Sequence, residues 1–174
     1  MSQTEEQECF SVVGLERQGL TGFLAVSELR ASRLAEVPES PGVYVVLRPL
    51  SSSPTFLERS HGGWFKGTDP TVARTILKEK WVTGANLIYV GKTTKGSAGR
   101  THLRDRLTKL LAYGSGKPVG HKGGRYLWQV EGADEFLVAW RVAEDPTTEE
   151  NQILSDFSAA YGSYPFANIA GPRA

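Results

Sequence analysis

Two short apolar segments each carry one tyrosine and one glycine among β-branched residues, and these tyrosines are the first candidates for chemistry. Tyr44 lies in segment 41–46 and Tyr89 in segment 87–92. Continuous β-branched segments bounded by Pro, Gly or a loop predict strands that are covered on both faces. If these strands are neighbours, their two phenol hydroxyls can meet, which indicates an active site. Taken alone, each tyrosine is also explained as an ordinary core residue.

A single carboxylate is the second candidate. In a helix predicted from Asp145 to Gly162, Glu150 lies three residues before Ile153 and seven before Phe157, both members of the buried stripe. An ionised carboxylate directed at a core is unfavourable unless a cation, a metal ion or hydrogen bonds compensate it. Glu150 is therefore a candidate metal ligand. The alternative is a first-turn glutamate that is stabilised by the helix dipole and reaches solvent.

A basic segment follows the second tyrosine. Its cations are Lys92, Lys95, Arg100, Arg104, Arg106, Lys109, Lys117, Lys122 and Arg125, opposed only by Asp105. Cations on glycine-rich links directly after a strand are suited to a phosphate backbone. A solvated basic face is the alternative. The segment Trp64-Phe65-Lys66 is a further aromatic and basic cluster, which can stack on bases or form a satellite core.

Composition limits the class of protein. The chain has 174 residues, 40% hydrophobic content, a net charge of +1 and no apolar stretch long enough for a membrane span. We therefore expect one domain over 1–174 and no membrane association. The lone Cys9 excludes an internal disulfide and a cysteine-rich zinc site. The polar, acidic residues 1–8 do not resemble a signal peptide, so a cytoplasmic location is predicted.

The strands and helices that must position these residues indicate an α/β (α+β) fold. We expect a small three-stranded antiparallel sheet flanked by helices. The strands are predicted over 43–47, 87–90 and 136–142. Alternation along a strand places Leu87 and Tyr89 on one face.

Four helices are predicted around this sheet. They cover 24–37, a segment that begins with Asp69 as N-cap and runs to about 81, 103–113 with a stop at Gly114, and the helix that begins after Asp145. Residues 125–130 fit either a strand or a helical turn. Arg106 lies beside the apolar stripe of the third helix.

These motifs together resemble the GIY-YIG nuclease family. Gly42-Val43-Tyr44 is similar to the GIY element and Tyr89-Val90-Gly91 to the YIG element. Three further elements occur in the family's order: the arginine-bearing helix in 103–107, the late-helix glutamate at Glu150 and the terminal Pro-x-x-Asn in 165–168. The resemblance covers residues 41–168. It identifies 1–38 as an N-terminal helical extension and 48–86 as an insertion between the tyrosine elements.

The resemblance implies a one-metal endonuclease that hydrolyses DNA. It assigns Glu150 to Mg²⁺ (or Mn²⁺), Arg106 to the phosphate, Tyr44 as general base, Tyr89 as an orienting phenol and Asn168 as an anchor. The basic segment supplies the predicted nucleic-acid contacts, which are Lys92, Lys95, Arg100, Arg104, Lys109, Lys122 and Arg125.

The chain departs from the family's pattern one turn after Arg106. Leu110 stands there, where many members have Tyr or His. His102, Tyr113 or His121 must serve instead, and His121 is the preferred catalytic candidate. A nucleic-acid-binding module without catalysis on the same scaffold is the alternative function.

Overall fold

An antiparallel sheet carries both tyrosine segments. The computed structural model describes residues 3–49, 52–96, 99–121 and 123–169. The sheet strands are β1 (Thr21–Ala25), β2 (Gly42–Leu47), β3 (Leu87–Lys92) and β6 (Leu137–Val142), and β4 (Lys95–Gly96) pairs with β5 (Gly99–Arg100) in a separate ribbon. The sheet order is β1–β6–β2–β3. The predicted α/β class is confirmed, with four strands in the sheet rather than three.

Helices flank the sheet. They are α1 (Gln3–Glu8), α2 (Val12–Arg17), α3 (Val26–Ala31), α4 (Arg74–Lys80), α5 (Leu103–Gly114) and α6 (Pro146–Tyr161). Residues 125–130, which fitted either a strand or a helical turn, form a 3₁₀ helix over Arg125–Gln129. In the described part of the chain, no helix has both the length and the apolar character that a membrane crossing requires.

The predicted helix over 24–37 is wrong in extent. Its first two residues belong to β1, and the helix covers only Val26–Ala31. The strand forms because it pairs with β6 across an irregularity between Gly22 and Leu24, where Phe23 adopts a left-handed φ of 52°. Arg33 and Leu34 also have positive φ values, and this conformation ends the helical segment well before Pro38.

Asp69 and Asp145 are the predicted N-caps of α4 and α6, and only Asp145 caps its helix. Asp145 caps α6 as predicted, because its Oδ1 accepts the N–H of Thr147 at 3.2 Å. Asp69 does not cap α4, which begins only at Arg74. Its Oδ1 accepts the N–H of Thr71 at 2.9 Å, so this carboxylate forms a local turn in place of a helix start.

The sheet separates two apolar cores. Tyr44 and Tyr89 face a core that is shared with α3 and α5, whereas Val43 and Val90 face a core shared with α2 and α6. The prediction that Leu87 shares the face of Tyr89 is wrong, since Leu87 lies in the second core. The pairing of β2 with β3 shifts between Val46 and Leu47, and this irregularity reverses the alternation at the start of β3.

The segment between the tyrosine strands is bound into the domain through the 3₁₀ helix. The buried Gln129 side chain donates to the carbonyls of Leu57 and Val72 at 3.0 and 2.8 Å, and accepts the N–H of Val72 at 3.0 Å. Phe56 and Trp81 pack against Phe166 with ring centroids 5.8 and 5.0 Å away. The segment therefore contributes to the core beneath the site.

Candidate active site

The two tyrosines are diagonal neighbours on one face of the sheet. Tyr44 pairs with Gly91 across β2 and β3, and Tyr89 pairs with Val46. Their ring centroids are 6.0 Å apart at an interplanar angle of 56°. The sequence prediction that these two phenols meet is therefore reproduced in the geometry of the sheet.

Gly91 makes this arrangement possible. A Cβ atom at this position would lie 2.3 Å from Tyr44 Cζ and 2.5 Å from its hydroxyl oxygen. Real Cβ atoms essentially never approach another atom so closely, so only glycine lets the Tyr44 ring lie over β3. The glycine in this second motif thus has a steric role in placing the tyrosine of the first.

Arg106 approaches the tyrosine pair from α5. The helix begins after His102, whose Nδ1 accepts the N–H of Asp105 at 3.3 Å, and it packs on the sheet through buried leucines. Arg106 Nε donates to the carbonyl oxygen of Lys92 at 3.1 Å. This bond holds the guanidinium next to Tyr44, where its positive charge partly offsets the rise in the pKa of the phenol that burial causes.

Glu150 reaches the same region from the first turns of α6. Its carboxylate oxygen lies 2.9 Å from Lys92 Nζ, and both side chains are largely buried, with 15% and 16% of their surface exposed. Burial is the main cause that raises the pKa of Tyr44 and Tyr89, and the charge of Glu150 adds a smaller effect in the same direction. The solvated alternative for Glu150 is thereby excluded, and a lysine on β3 provides the compensating cation.

Both phenols are kept neutral by their surroundings. Burial raises the pKa of Tyr44, against the opposing effect of Arg106 and of the neighbouring Tyr89 hydroxyl. Burial raises the pKa of Tyr89 further, and the neighbouring Tyr44 adds to the effect. Tyr89 and Arg106 lie close enough to act on the Tyr44 hydroxyl, but within the described residues neither forms a well-aligned hydrogen bond with it. A buried hydroxyl in this state is suited to a bound water or a ligand.

His121 packs behind Tyr89. Its ring makes an edge contact with Tyr89 at 6.5 Å and lies 6.4 Å from the ring of Tyr113. Only 3% of its surface is exposed, and neither ring nitrogen has a hydrogen-bond partner in the described part of the chain. Burial, followed by the charges of Arg106 and Lys109, lowers its pKa to about 3. Three residues are candidates to replace the family's Tyr or His after the arginine. His102 caps α5, Tyr113 packs against His121, and His121 packs against Tyr89.

Asn168 lies on the outer edge of β3 rather than among the phenols. Its side-chain oxygen accepts the N–H of Val90 and its side-chain nitrogen donates to the carbonyl of Val90, both at 2.9 Å. The next hydrogen bond along this edge joins Ala167 N–H to the carbonyl of Ile88 at 2.8 Å. The predicted anchoring by this amide is thus an anchoring of the strand that carries Tyr89.

The predicted phosphate contacts differ in their surroundings. Arg104 is held by the carbonyl of Val37 at 2.9 Å and by an ion pair with Glu39, so it ties α5 to the chain before β2. Lys109 is exposed near His121, and Arg125 stacks over Tyr126 at 5.3 Å. Lys122 lies outside the described residues, as do the side chains of Lys95 and Arg100.

Two residues that the sequence analysis did not assign support the site. Thr93 follows β3, and its hydroxyl oxygen accepts the N–H of Gly42 at 3.1 Å. Gly123 passes so close to Tyr89 that a Cβ there would lie 2.5 Å from the hydroxyl. Neither carries a distinctive local signal, because both contacts join segments that are distant in sequence.

The described residues offer no group of three His, Cys, Asp or Glu side chains suited to a metal ion.

A cavity of about 590 Å³ opens beside the other core, the one that α2 and α6 cover. It contains none of the predicted site residues and is lined by Glu5, Glu6, Glu8, Cys9, Phe10, Gly14, Arg17, Gln18, Asp156 and Ala159. Its carboxylates repel phosphate, so phosphate chemistry is better suited to the tyrosine face.

No family model matches the chain, and neither a curated protein nor a solved structure matches it. The resemblance to GIY-YIG nucleases therefore rests on the sequence motifs.

Proposed function

We propose that the protein is a metal-dependent endonuclease that hydrolyses phosphodiester bonds in DNA. The observation that carries the proposal is the approach of four side chains to the end of β3 at Lys92: Tyr44, Tyr89 and Arg106 from the face that α5 covers, and Glu150 from α6, which packs on the other face. A guanidinium and a largely buried carboxylate next to two neutral phenols supply phosphate binding, metal binding and proton transfer in one place. The lone Cys9 supports a cytoplasmic location as part of the same proposal.

The residues present fit a single Mg²⁺ or Mn²⁺ ion. Glu150 offers one carboxylate, and the Tyr44 hydroxyl is buried without a hydrogen bond in the described region. Magnesium commonly uses one or two protein carboxylates and completes its shell with water and substrate phosphate, so a three-residue cluster is not required. When bound, the ion supplies charge stabilisation at the phosphoryl and leaving oxygens.

The chain's own residues divide the remaining work. Arg106 is braced through Nε, which directs its terminal nitrogens toward a phosphate in a planar fork. In the minor fraction in which Tyr44 has lost its own proton to solvent, the phenolate would take the proton of the attacking water, and the charge of Arg106 favours this ionised form. Tyr89 orients the water or the phosphate, and His121, neutral behind it, fixes its ring.

Plasmid nicking with Mg²⁺ or Mn²⁺ tests the proposal. Glu150→Gln and Arg106→Gln are expected to abolish cleavage. A matched control lies on the same helix as Glu150: Glu149→Gln, whose parent carboxylate pairs with Arg141. This control should retain cleavage. Cleavage that persists in purified Glu150→Gln and Arg106→Gln would reject the assignment.

A nucleic-acid-binding module without catalysis is the second candidate. Lys92 satisfies the Glu150 carboxylate in the absence of any metal, which is the observation that favours it. Binding to DNA that weakens steeply with salt, without cleavage under any divalent ion, is the expected behaviour of such a module.

A further inference from the structure

Trp64 is displayed on the surface of the segment between the tyrosine strands. Its side chain is 57% exposed, so the satellite-core interpretation does not hold for this residue. The aromatic cluster of this segment is formed instead by Phe56 and Trp81 against Phe166. An exposed indole presents a flat apolar face on which a nucleic-acid base can stack.

The loop that carries Trp64 is closed by a short turn directly after the indole. Phe65 and Thr68 form an isolated bridge, closed by a hydrogen bond of 3.1 Å from the Thr68 N–H to the Phe65 carbonyl. Lys66 and Gly67 take positive φ values of 52° and 73° at the tip. Lys66 Nζ lies 5.5 Å from the Phe65 ring centroid, so a cation stands beside the indole-bearing turn.

The same loop docks against the chain that leads into the site. Gly63 N–H donates to the Tyr113 carbonyl at 2.9 Å, and a Cβ at Gly63 would lie 1.8 Å from the Lys117 carbonyl oxygen. A Cβ at Gly120 would lie 3.2 Å from Phe65 Cζ. Gly120 precedes His121, which touches Tyr89. Trp64 therefore lies on a turn that packs at the margin of the tyrosine face.

We propose that Trp64 stacks on an unpaired base of the DNA strand that enters the candidate site. This inference rests on the proposed function and adds a substrate class, DNA with a single-stranded or locally opened segment. The exposed cations Lys66, Lys109 and Lys117 lie on the segments that meet here, where they favour a polyanion over an apolar protein surface. Asp69 is the opposing charge near Tyr113.

Fluorescence anisotropy with labelled oligonucleotides in EDTA tests the inference. The probes are single-stranded oligothymidylate and a blunt duplex of equal length. Trp64→Ala should weaken binding of the single strand by about tenfold and leave the duplex nearly unchanged. Trp64→Phe should restore most of the affinity. Ile76→Ala removes another exposed apolar side chain of the same segment and should behave as wild type.

Three outcomes overturn the inference. They are unchanged single-strand binding in Trp64→Ala, an equal loss on both probes, and a Trp64-dependent self-association seen by sedimentation velocity. In each case the wild-type protein still binds and cuts DNA, and the proposed function stands. Absence of any DNA binding or cleavage by the wild-type protein counts instead against the proposed function itself.

Discussion

Lys92 Nζ lies 2.9 Å from the carboxylate of Glu150, and the carbonyl of the same lysine accepts the Arg106 Nε hydrogen bond at 3.1 Å. One residue at the end of β3 thus holds both the acid and the guanidinium of the candidate site. Because the lysine ammonium forms an ion pair with the carboxylate, it competes with any divalent ion for Glu150.

Removal of this ammonium should strengthen metal binding. We expect Lys92→Met, which keeps an unbranched side chain of nearly the same length without the charge, to lower the apparent dissociation constant for Mn²⁺ several-fold in calorimetric titration. Glu150→Gln should abolish the binding, and Glu149→Gln should leave it unchanged. Weaker Mn²⁺ binding in Lys92→Met would contradict a competitive role for the lysine.

Cleavage should depend on the ionisation of Tyr44. Burial raises the pKa of this phenol above its ordinary value of 10, so phenolate is the minor form at neutral pH. The rate is therefore expected to rise about tenfold per pH unit between about pH 7 and 9. Tyr44→Phe should remove this rise, whereas the exposed Tyr164→Phe should preserve it. A flat profile in the wild-type protein would exclude Tyr44 as the base.

Gly91→Ala should displace the Tyr44 ring. A methyl group placed 2.3 Å from Tyr44 Cζ cannot be accommodated without movement of the ring or of β3. We expect a loss of about 1–3 kcal/mol in the free energy of unfolding, measured by urea denaturation, together with loss of cleavage. On a Tyr44→Ala background the same substitution should cost much less, because the obstructing ring is gone. Equal costs on both backgrounds would place the strain elsewhere.

Asn168→Ala should act through stability. The side-chain amide makes two hydrogen bonds to Val90, so its removal is expected to lower the free energy of unfolding by about 2 kcal/mol. At a temperature where the variant remains folded, cleavage should return close to the wild-type rate. Loss of cleavage at unchanged stability would instead indicate direct contact with the substrate.

His121 should make the fold sensitive to acid. Its pKa falls from about 6.5 in the unfolded chain to about 3 in the fold, so the unfolded state binds more protons between these values. The stabilisation is complete above about pH 6.5 and is lost as the pH falls, by up to about 1.4 kcal/mol per pH unit. His121→Leu should flatten this dependence in urea denaturation at pH 4–7, and the exposed His61→Leu should not. Equal slopes in all three proteins would contradict this assignment.

The parts that the sequence predicted well are those with local chemical signals. Asp145 and Gly162 bound α6 because a side-chain cap and a left-handed glycine act within a few residues. The tyrosine strands were predicted from their own apolar content. The position of Glu150 followed from helical periodicity alone.

The parts that failed depend on contacts between distant segments. The strand β1 contains left-handed Phe23 and exists through its pairing with β6, so its own sequence indicates a helix as readily. The face of Leu87 is set by an irregularity in the pairing with β2. The choice of Lys92 as the partner of Glu150 required the packing of α6 on β3, which no local pattern specifies.

The Gln129 amide has a consequence for protein engineering. A shortened chain that joins the tyrosine strands directly would delete Leu57 and Val72, which supply all three hydrogen bonds of this amide. The buried Gln129 amide would then lose these hydrogen bonds, and Phe166 would lose the aromatic rings of Phe56 and Trp81 that pack against it. The long connection between the strands is therefore not a removable appendage, and a minimal version of this domain must retain it.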